Sequence, residues 1–221
     1  LNGSAGVINS TIYNYTGQYL SDTVSLKGKR TAAAATDDIT SLTHYDGSSD
    51  QKLRYTLNFI GGTKFSGFDG SSDTNYAPTS VSSSTVYDYK GALASEGSYM
   101  QNSASLRGKH TTATINDDVQ SFTHYDGSFD QKLIYTFNMG SGVKWLANWG
   151  AGYVTQVITN GVVTTPGVVT STVYNYTGQY MSESVVQKGR HTVATDAGAV
   201  VQSYTKYEGD PDQRMIYTFN M

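Results

Sequence analysis

The stretch KLRYTLNF, residues 52–59, alternates apolar and polar side chains along its whole length. Leucine or an aromatic residue stands at every second position, and lysine, arginine, threonine and asparagine stand between them. A period of two is typical of a β-strand with one buried face. Residues 132–139 (KLIYTFNM) and 214–221 (RMIYTFNM) repeat this alternation. We therefore predict a half-buried strand at each of the three places.

Other phrases of the sequence also occur three times. STIYNYTGQYL begins at Ser10, STVYDYKG at Ser84 and STVYNYTGQYM at Ser171. The spacing Tyr-x-Tyr in each copy places both rings on one face of a strand, where aromatic pairs across strands stabilise a sheet. A second shared phrase, THYDG, begins at Thr43 and at Thr123, and its third version is TKYEG from Thr205. The sequence thus contains three internal repeats.

These repeats predict an all-β, antiparallel fold with three internal repeats of about four strands each. An Asn-Gly pair between β-branched runs, in QVITNGVVTT, predicts an extra hairpin in the second inter-repeat segment. The predicted organisation is β repeat 1 at residues 1–60, a loop-rich linker at 61–83, β repeat 2 at 84–139, a Trp-containing inserted hairpin at 140–170 and β repeat 3 at 171–221.

The composition favours some classes of protein over others. The formal net charge is −3 and only 15% of residues are charged, so the chain lacks the basic excess typical of nucleic-acid binders. It has no cysteine, and no apolar run has the length of a transmembrane segment. The chain starts at Leu1, and we expect a mature form after leader cleavage, at the cell surface or outside the cell.

Acidic turns recur at matching places in the three repeats: DGSSD, DGSFD and EGDPD. Carboxylates at this spacing can converge on Ca²⁺, which takes six to eight oxygen ligands. Aspartate and glycine are also the residues that tight turns use, so a plain hairpin turn is the alternative. The calcium hypothesis concerns Asp46, Asp50, Asp126, Asp130, Glu208 and Asp212. No other cofactor is predicted.

Histidine gives no sign of catalysis. Two of the four histidines occur in THYDG, where the third repeat has Lys206. The other two occur in GKHT and GRHT, where the first repeat has Arg30. A basic side chain is the common property at both places, whereas a catalytic imidazole could not be exchanged in this way. We therefore predict that the protein is not an enzyme.

Two further sets of residues are candidates for external contacts. Trp145 and Trp149 stand outside the repeats and could face a ligand or a neighbouring subunit. Triplets of the N-glycosylation type arise readily in a chain rich in serine, threonine and asparagine. The candidate modification sites are Asn2, Asn9, Asn14 and Asn175.

The pattern STxYxYxG…DQKLxYTFNM resembles the Tyr/Thr/Asn-rich, cysteine-free β-repeats of prokaryotic surface and extracellular-matrix proteins, such as archaeal sheath or fibre subunits. The resemblance covers the three repeats. It implies a secreted structural subunit that polymerises with itself, through β-sheet contacts, into a fibre, sheath or surface layer. The alternative is a multivalent, lectin-like protein with one glycan site per repeat.

The terminal strands carry the predicted assembly contacts. From Ile216 to Met221 there is neither charge nor proline, the features that usually block an open strand edge. We expect Tyr13, Tyr15, Tyr217 and Phe219 to contact a neighbouring subunit. In the alternative arrangement, the first and last strands pair with each other inside one closed monomer.

Overall fold

The computed structural model describes residues 6–68, 74–89, 99–145 and 167–221, and the backbone at 157–159 and 162–165. The predicted all-β, antiparallel class is confirmed. In this part of the chain the only helical element is the single 3₁₀ turn Pro78–Ser80. The strands are β1 (Asn9–Thr16), β2 (Tyr19–Lys27), β3 (Ile39–Tyr45), β4 (Leu53–Phe59), β5 (Val81–Tyr89), β6 (Met100–Arg107), β7 (Val119–Tyr125), β8 (Leu133–Met139), β9 (Val157–Thr159), β10 (Val162–Thr165), β11 (Val168–Thr177), β12 (Tyr180–Lys188), β13 (Val201–Tyr207) and β14 (Met215–Asn220).

Twelve of these strands form one sheet in which chain neighbours are also sheet neighbours. The order runs from β1 to β8 and continues from β11 to β14. β9 and β10 form a separate antiparallel pair, and the Asn160-Gly161 step between them lies outside the described residues. The described residues divide into two compact units. The first contains residues 6–68, 74–87 and 106–113, and the second contains the remainder.

Alternation of side chains directs one face of each strand into a core. In β4, Tyr55, Leu57 and Phe59 are buried, Thr56 and Asn58 between them are half-buried, and Arg54 before them is exposed. Val24, Leu26, Ile39 and Leu42 complete the innermost part of the first unit. In the second unit the corresponding core contains Phe122, Phe137, Val143 and Trp145.

The opposite face of the sheet carries threonine pairs at matching places. Thr43 and Thr56 are hydrogen-bonded across β3 and β4, with 2.9 Å between their hydroxyl oxygens. Equivalent pairs join β7 to β8 and β13 to β14, at 3.1 and 3.0 Å. Cross-strand Thr–Thr hydrogen bonds are among the pairs that stabilise a sheet.

A buried serine explains why the phrases STxY and G(K/R)(R/H) occur together. The hydroxyl of Ser84 donates to the Gly108 carbonyl at 2.6 Å and accepts the His110 amide at 2.9 Å. Gly108 has φ of +81°, a conformation that disfavours other residues, so glycine is required where the chain turns around the serine. The same arrangement joins Ser10 to Gly28 and Arg30, and Ser171 to Gly189 and His191.

Candidate functional site

The predicted assembly residues lie on the two strands at the ends of the sheet order. β1 pairs with β2 and β14 pairs with β13, and neither has a second partner among the described strands. Tyr13 and Tyr15 are exposed on β1, and Tyr217 and Phe219 are exposed on β14. The ring centroids of Tyr217 and Phe219 lie 4.9 Å apart, so the two side chains form one apolar surface.

This surface on β14 corresponds to core positions elsewhere in the chain. Tyr55, at the place of Tyr217, is 3% exposed, whereas Tyr217 is 42% exposed. Phe137, at the place of Phe219, is 1% exposed, whereas Phe219 is 55% exposed. The side chains are similar, so the difference lies in what covers them.

In the first unit, part of the cover is a segment that follows β4 and lies against the core face. The Phe65 amide donates to the Asp37 carbonyl at 2.9 Å, and the Phe65 side chain is buried. Further along the same segment, the Tyr76 ring lies 4.7 Å from the Phe59 ring, centroid to centroid. We call residues 61–68 and 74–80 the first covering segment.

A second covering segment, residues 140–145, follows β8 in the same way. The Val119 amide donates to the Val143 carbonyl at 2.9 Å, and the Trp145 amide donates to the Asp117 carbonyl at 2.8 Å. Trp145 is buried and its ring lies 6.1 Å from the Phe122 ring. Trp145 therefore faces the core of its own chain, and Trp149 lies outside the described residues.

A lysine fixes each covering segment to an aspartate. Lys64 Nζ lies 2.5 Å from Asp38 Oδ1, and Lys144 Nζ lies 2.6 Å from Asp118 Oδ1. The hydrogen bond from Lys64, together with its charge, holds the pKa of Asp38 below its ordinary value. In the third repeat the Asp-Asp pair is replaced by Ala199 and Val200.

Sequence reasoning missed a triad of polar side chains that crosses the strands at one level in each repeat. In the first, the Asn14 amide donates to Asp22 Oδ2 at 3.1 Å, and Asp22 Oδ1 lies 2.8 Å from His44 Nδ1. In the second, the Asn102 amide donates to Asp88 at 2.8 Å, and Asn102 Oδ1 lies 2.8 Å from His124 Nδ1.

The carboxylate and the amide have thus exchanged strands between the first and second triads. An amide oxygen can only accept, so Nδ1 of His124 carries the proton. Burial lowers the pKa of His124 and raises the pKa of Asp88. The exchange is visible in the aligned repeats, Asn14 with Asp22 against Asp88 with Asn102, and that signal could have revealed the contact.

The third triad uses a full ion pair. Lys206 Nζ donates to Glu183 Oε1 at 2.9 Å, the Tyr204 hydroxyl donates to the same oxygen at 2.8 Å, and the Asn175 amide donates to Oε2 at 3.3 Å. The hydrogen bonds from Lys206 and Tyr204 hold the pKa of Glu183 below its ordinary value. The bond to Glu183 raises the pKa of Tyr204 to about 12.

The carboxylates of the predicted calcium turns are engaged within their own loops. Asp46 Oδ1 accepts the Ser48 and Lys52 amides at 3.1 and 3.0 Å, which is the arrangement of an Asx turn. Burial acts to raise the pKa of Asp126, but hydrogen bonds from Ser128 outweigh it, and the pKa is lowered. The remaining members each lie near a basic side chain: Asp50 near Lys52, Asp130 near Lys132, and Glu208 and Asp212 near Arg214. Within the described ranges, no three ligating side chains are grouped to hold a metal ion.

The candidate modification sites differ in accessibility. Asn9 is exposed at the start of β1, and Asn2 lies outside the described residues. Asn14 and Asn175 are half-buried and donate their amide groups to Asp22 and Glu183. A glycan on either of these two nitrogens would compete with the triad hydrogen bonds.

Comparisons with known proteins give no family for the chain. No model of a known protein family matches it, and no curated protein matches it significantly. Among the described residues, no helix has the length and apolar character needed to cross a membrane.

Proposed function

We propose that the protein is a secreted structural subunit that self-assembles through the edges of its β-sheet into an extracellular fibre, sheath or surface layer. One observation carries this proposal: the apolar surface of Tyr217 and Phe219 on β14 is exposed, although both positions are buried in β4 (Tyr55 and Leu57) and the position of Phe219 is also buried in β8 (Phe137). An open strand edge with an apolar face is a template for another strand. The partner that this chemistry favours is a second copy of the chain.

The internal organisation supports the same proposal. We infer that the chain consists of three related four-stranded repeats, β1–β4, β5–β8 and β11–β14, with β9 and β10 as an inserted hairpin. The serine bonded to the glycine turn, the paired threonines and the polar triad recur at matching places in the three repeats. A chain that joins similar units through strand pairing has surfaces at both ends that suit the same pairing between copies.

The placement outside the cell rests on composition. The chain has 18 tyrosines and 23 glycines, only 15% of its residues are charged, and strands in this structure pair through threonine hydroxyls. The use of Ca²⁺ by the acidic turns and of glycans by Asn2, Asn9, Asn14 and Asn175 stays a prediction.

The test is the state of the purified 221-residue chain. We expect sedimentation velocity to show a broad series of oligomers that grows with concentration, and electron microscopy to show extended polymers. A discrete oligomer that binds selected saccharides on a glycan array would instead support the lectin-like alternative. A non-associating monomer without glycan binding would contradict both.

A chain lacking residues 215–221 separates edge assembly from closure of one monomer. Under the proposal it retains a β-type circular dichroism spectrum but no longer polymerises. Loss of the monomer fold itself would indicate that β14 completes a closed structure.

A further inference from the structure

The chain contains two internal junctions at which the last strand of one repeat pairs with the first strand of the next. In the pairing of β4 with β5, Tyr55 is opposite Val86 and Leu57 is opposite Ser84. In the pairing of β8 with β11, Tyr135 is opposite Val173 and Phe137 is opposite Ser171. These are the same positions of the repeat, so both junctions have one register.

The irregularity in the two junctions is shared as well. Near the start of β11, the register shifts between Val168 and Thr170, which leaves Val169 outside the ladder and 54% exposed. In the pairing of β4 with β5, the register shifts at the matching place, between Asn58 and Phe59 of β4. The register is therefore a property of the repeat rather than of one pair of strands.

We propose that β14 of one copy receives β1 of a second copy in this same register. The proposal rests on the proposed function and adds the identity of the partner strand, its direction and its alignment. The pairs expected between copies are Tyr217 with Ile12, Thr218 with Thr11, Phe219 with Ser10, Asn220 with Asn9, and Met221 with Val7.

The exposure of residues in β1 fits this alignment. Val7 is 39% exposed, whereas Val81 and Val168 at the same place are 4% and 5% exposed. Ile8 occupies the place of Val169, and both are exposed, as expected for the residue outside the ladder. Tyr15 is exposed, whereas Tyr89 at its place is buried.

A basic residue just before β14 gives a first additional contact between the two copies. At the β8–β11 junction, Lys132 Nζ donates to the Gly178 carbonyl at 2.9 Å and lies 5.7 Å from the centre of the Tyr176 ring. Arg214 takes the place of Lys132, and its side chain is 68% exposed against 22%. In the assembled state Arg214 would reach Gly17 and Tyr15 of the second copy.

A basic residue in the first repeat of the second copy gives a contact in the opposite direction. At the same junction the Arg190 guanidinium lies 5.5 Å from the centre of the Phe137 ring, within range of a cation–π interaction. Lys29 occupies the place of Arg190 in the first repeat and is exposed. Lys29 of the second copy would therefore cover Phe219.

The sequence of the third repeat argues against another covering segment as the occupant of this site. Both covering segments attach through a lysine to Asp38 or Asp118. The third repeat has Val200 at this place, and 60% of its surface is exposed. An ammonium group would find no carboxylate at the position of Val200, whereas an uncharged segment such as GVINSTIY (residues 6–13) suits the site.

Disulfide cross-linking tests the alignment, because the chain has no cysteine of its own. In the double variant Thr11→Cys/Thr218→Cys, the two cysteines face each other only if the register is as proposed. Oxidation of the assembled protein should produce a ladder of covalent oligomers on a non-reducing gel. The control Tyr13→Cys/Thr218→Cys is displaced by two residues on the same face. It should cross-link about tenfold less, since cysteines more than about 7 Å apart at Cα cannot be bridged without backbone movement.

The outcomes distinguish a failure of the proposed register from a failure of the proposed function. Polymers that form without a ladder, or with a stronger ladder in the displaced control, would overturn the register while leaving the proposed function intact. An internal disulfide in a chain that stays monomeric would overturn both, since it shows β14 paired with β1 of its own chain. Absence of any polymer before oxidation would refute the proposed function directly.

A second experiment tests the basic contact. Arg214→Gln should raise the concentration at which polymers first form about tenfold, the loss expected for one hydrogen bond from a charged donor. Arg107→Gln removes the same charge from an exposed position on an internal strand and should leave that concentration unchanged. If both substitutions raise the concentration at which polymers first form by the same factor, Arg214 acts only through its charge and the proposed contact is wrong.

Discussion

Trp145 and Phe122 lie with their ring centroids 6.1 Å apart, and the Trp145 carbonyl accepts the Asn116 amide at 2.8 Å. The indole of Trp145 therefore contacts the face of β7, and the Trp145 backbone is fixed to the turn that precedes β7. This contact makes residues 140–145 part of the core of the second unit, although they form no strand of the large sheet.

We expect Trp145→Ala to lower the free energy of unfolding by about 3–5 kcal/mol, the usual cost of removing a buried aromatic side chain. Urea denaturation followed by circular dichroism measures the change. Ile115→Ala, in the neighbouring loop at an exposed position, is the control and should alter stability by less than about 0.5 kcal/mol. Equal stability of the two variants would show that Trp145 is not a core residue.

The sequence allowed the strands to be predicted but not what covers them. In KLRYTLNF the period of two is visible within the stretch itself. It therefore predicts which face of the strand, that of Tyr55 and Leu57, is buried. Residues 61–68 and 140–145 have no period, and the sequence predicted only a linker and an inserted hairpin. Their burial depends on contacts with distant strands, such as Trp145 with Phe122, which local pattern does not encode.

The polar triads were missed for a related reason. A single strand shows that Asn14 and Tyr15 alternate, but not which residue of the next strand stands opposite. The bulge between Asn14 and Tyr15 shifts the pairing by one residue, and such shifts cannot be counted from one sequence. Comparison of the repeats supplies the missing information, since the acid and the amide exchange places together.

Ser84 should be more important for stability than its size indicates. Its side chain is fully buried, and its hydroxyl donates to Gly108 and accepts from His110, so Ser84→Ala removes the hydrogen-bond partner of two half-buried backbone groups. We expect a loss of about 1–3 kcal/mol per unsatisfied group at most, measured by urea denaturation. Ser49→Ala, at an exposed loop position, should have no measurable effect. A neutral Ser84→Ala would mean that water replaces the hydroxyl.

The charge state of His124 should make stability depend on pH. Its pKa is lowered in the folded protein because burial disfavours the charged form. The unfolded chain therefore binds a proton at a higher pH than the folded chain, and this contribution to stability is present above about pH 6.5 and lost as the pH falls through the folded value.

Asn102→Asp should reverse this effect. It places a carboxylate beside Nδ1 of His124, as Asp22 stands beside His44, and raises the pKa of His124. Titration of the His124 ring protons by NMR measures the change, with Gln18→Glu, in the turn between β1 and β2, as the control for added charge. A wild-type pKa above that of a free histidine would contradict the assignment.

Gln51 adopts φ of +48° in the turn after Asp46, and glutamines at the same place in the other two turns do likewise. A left-handed conformation costs a side-chain-bearing residue about 1–2 kcal/mol, and glycine avoids much of that cost. We expect Gln51→Gly to stabilise the protein by about 0.5–1 kcal/mol in urea denaturation. Gly47→Ala, at φ of +69°, should destabilise it by a similar amount or more. If both substitutions destabilise, the side chain of Gln51 contributes a contact that outweighs its strain.

Phe219→Lys should prevent assembly without unfolding the protein. Phe219 is 55% exposed in the isolated chain, so the substitution removes little buried surface and the circular dichroism spectrum and urea midpoint should stay close to those of the original chain. In the proposed assembly the same position would be buried against β1 of the next copy, and a lysine there would lose its hydration without a carboxylate nearby. A charged residue at an open edge is also the device that natural sheets use to prevent such pairing. Sedimentation velocity should therefore show monomers at concentrations where the proposal expects the original chain to be polymeric. Ile115→Lys adds the same charge at an exposed apolar position in the loop before β7, which belongs to neither terminal strand, and should polymerise normally. Polymers of unchanged length from Phe219→Lys would show that the edge of β14 takes no part in assembly.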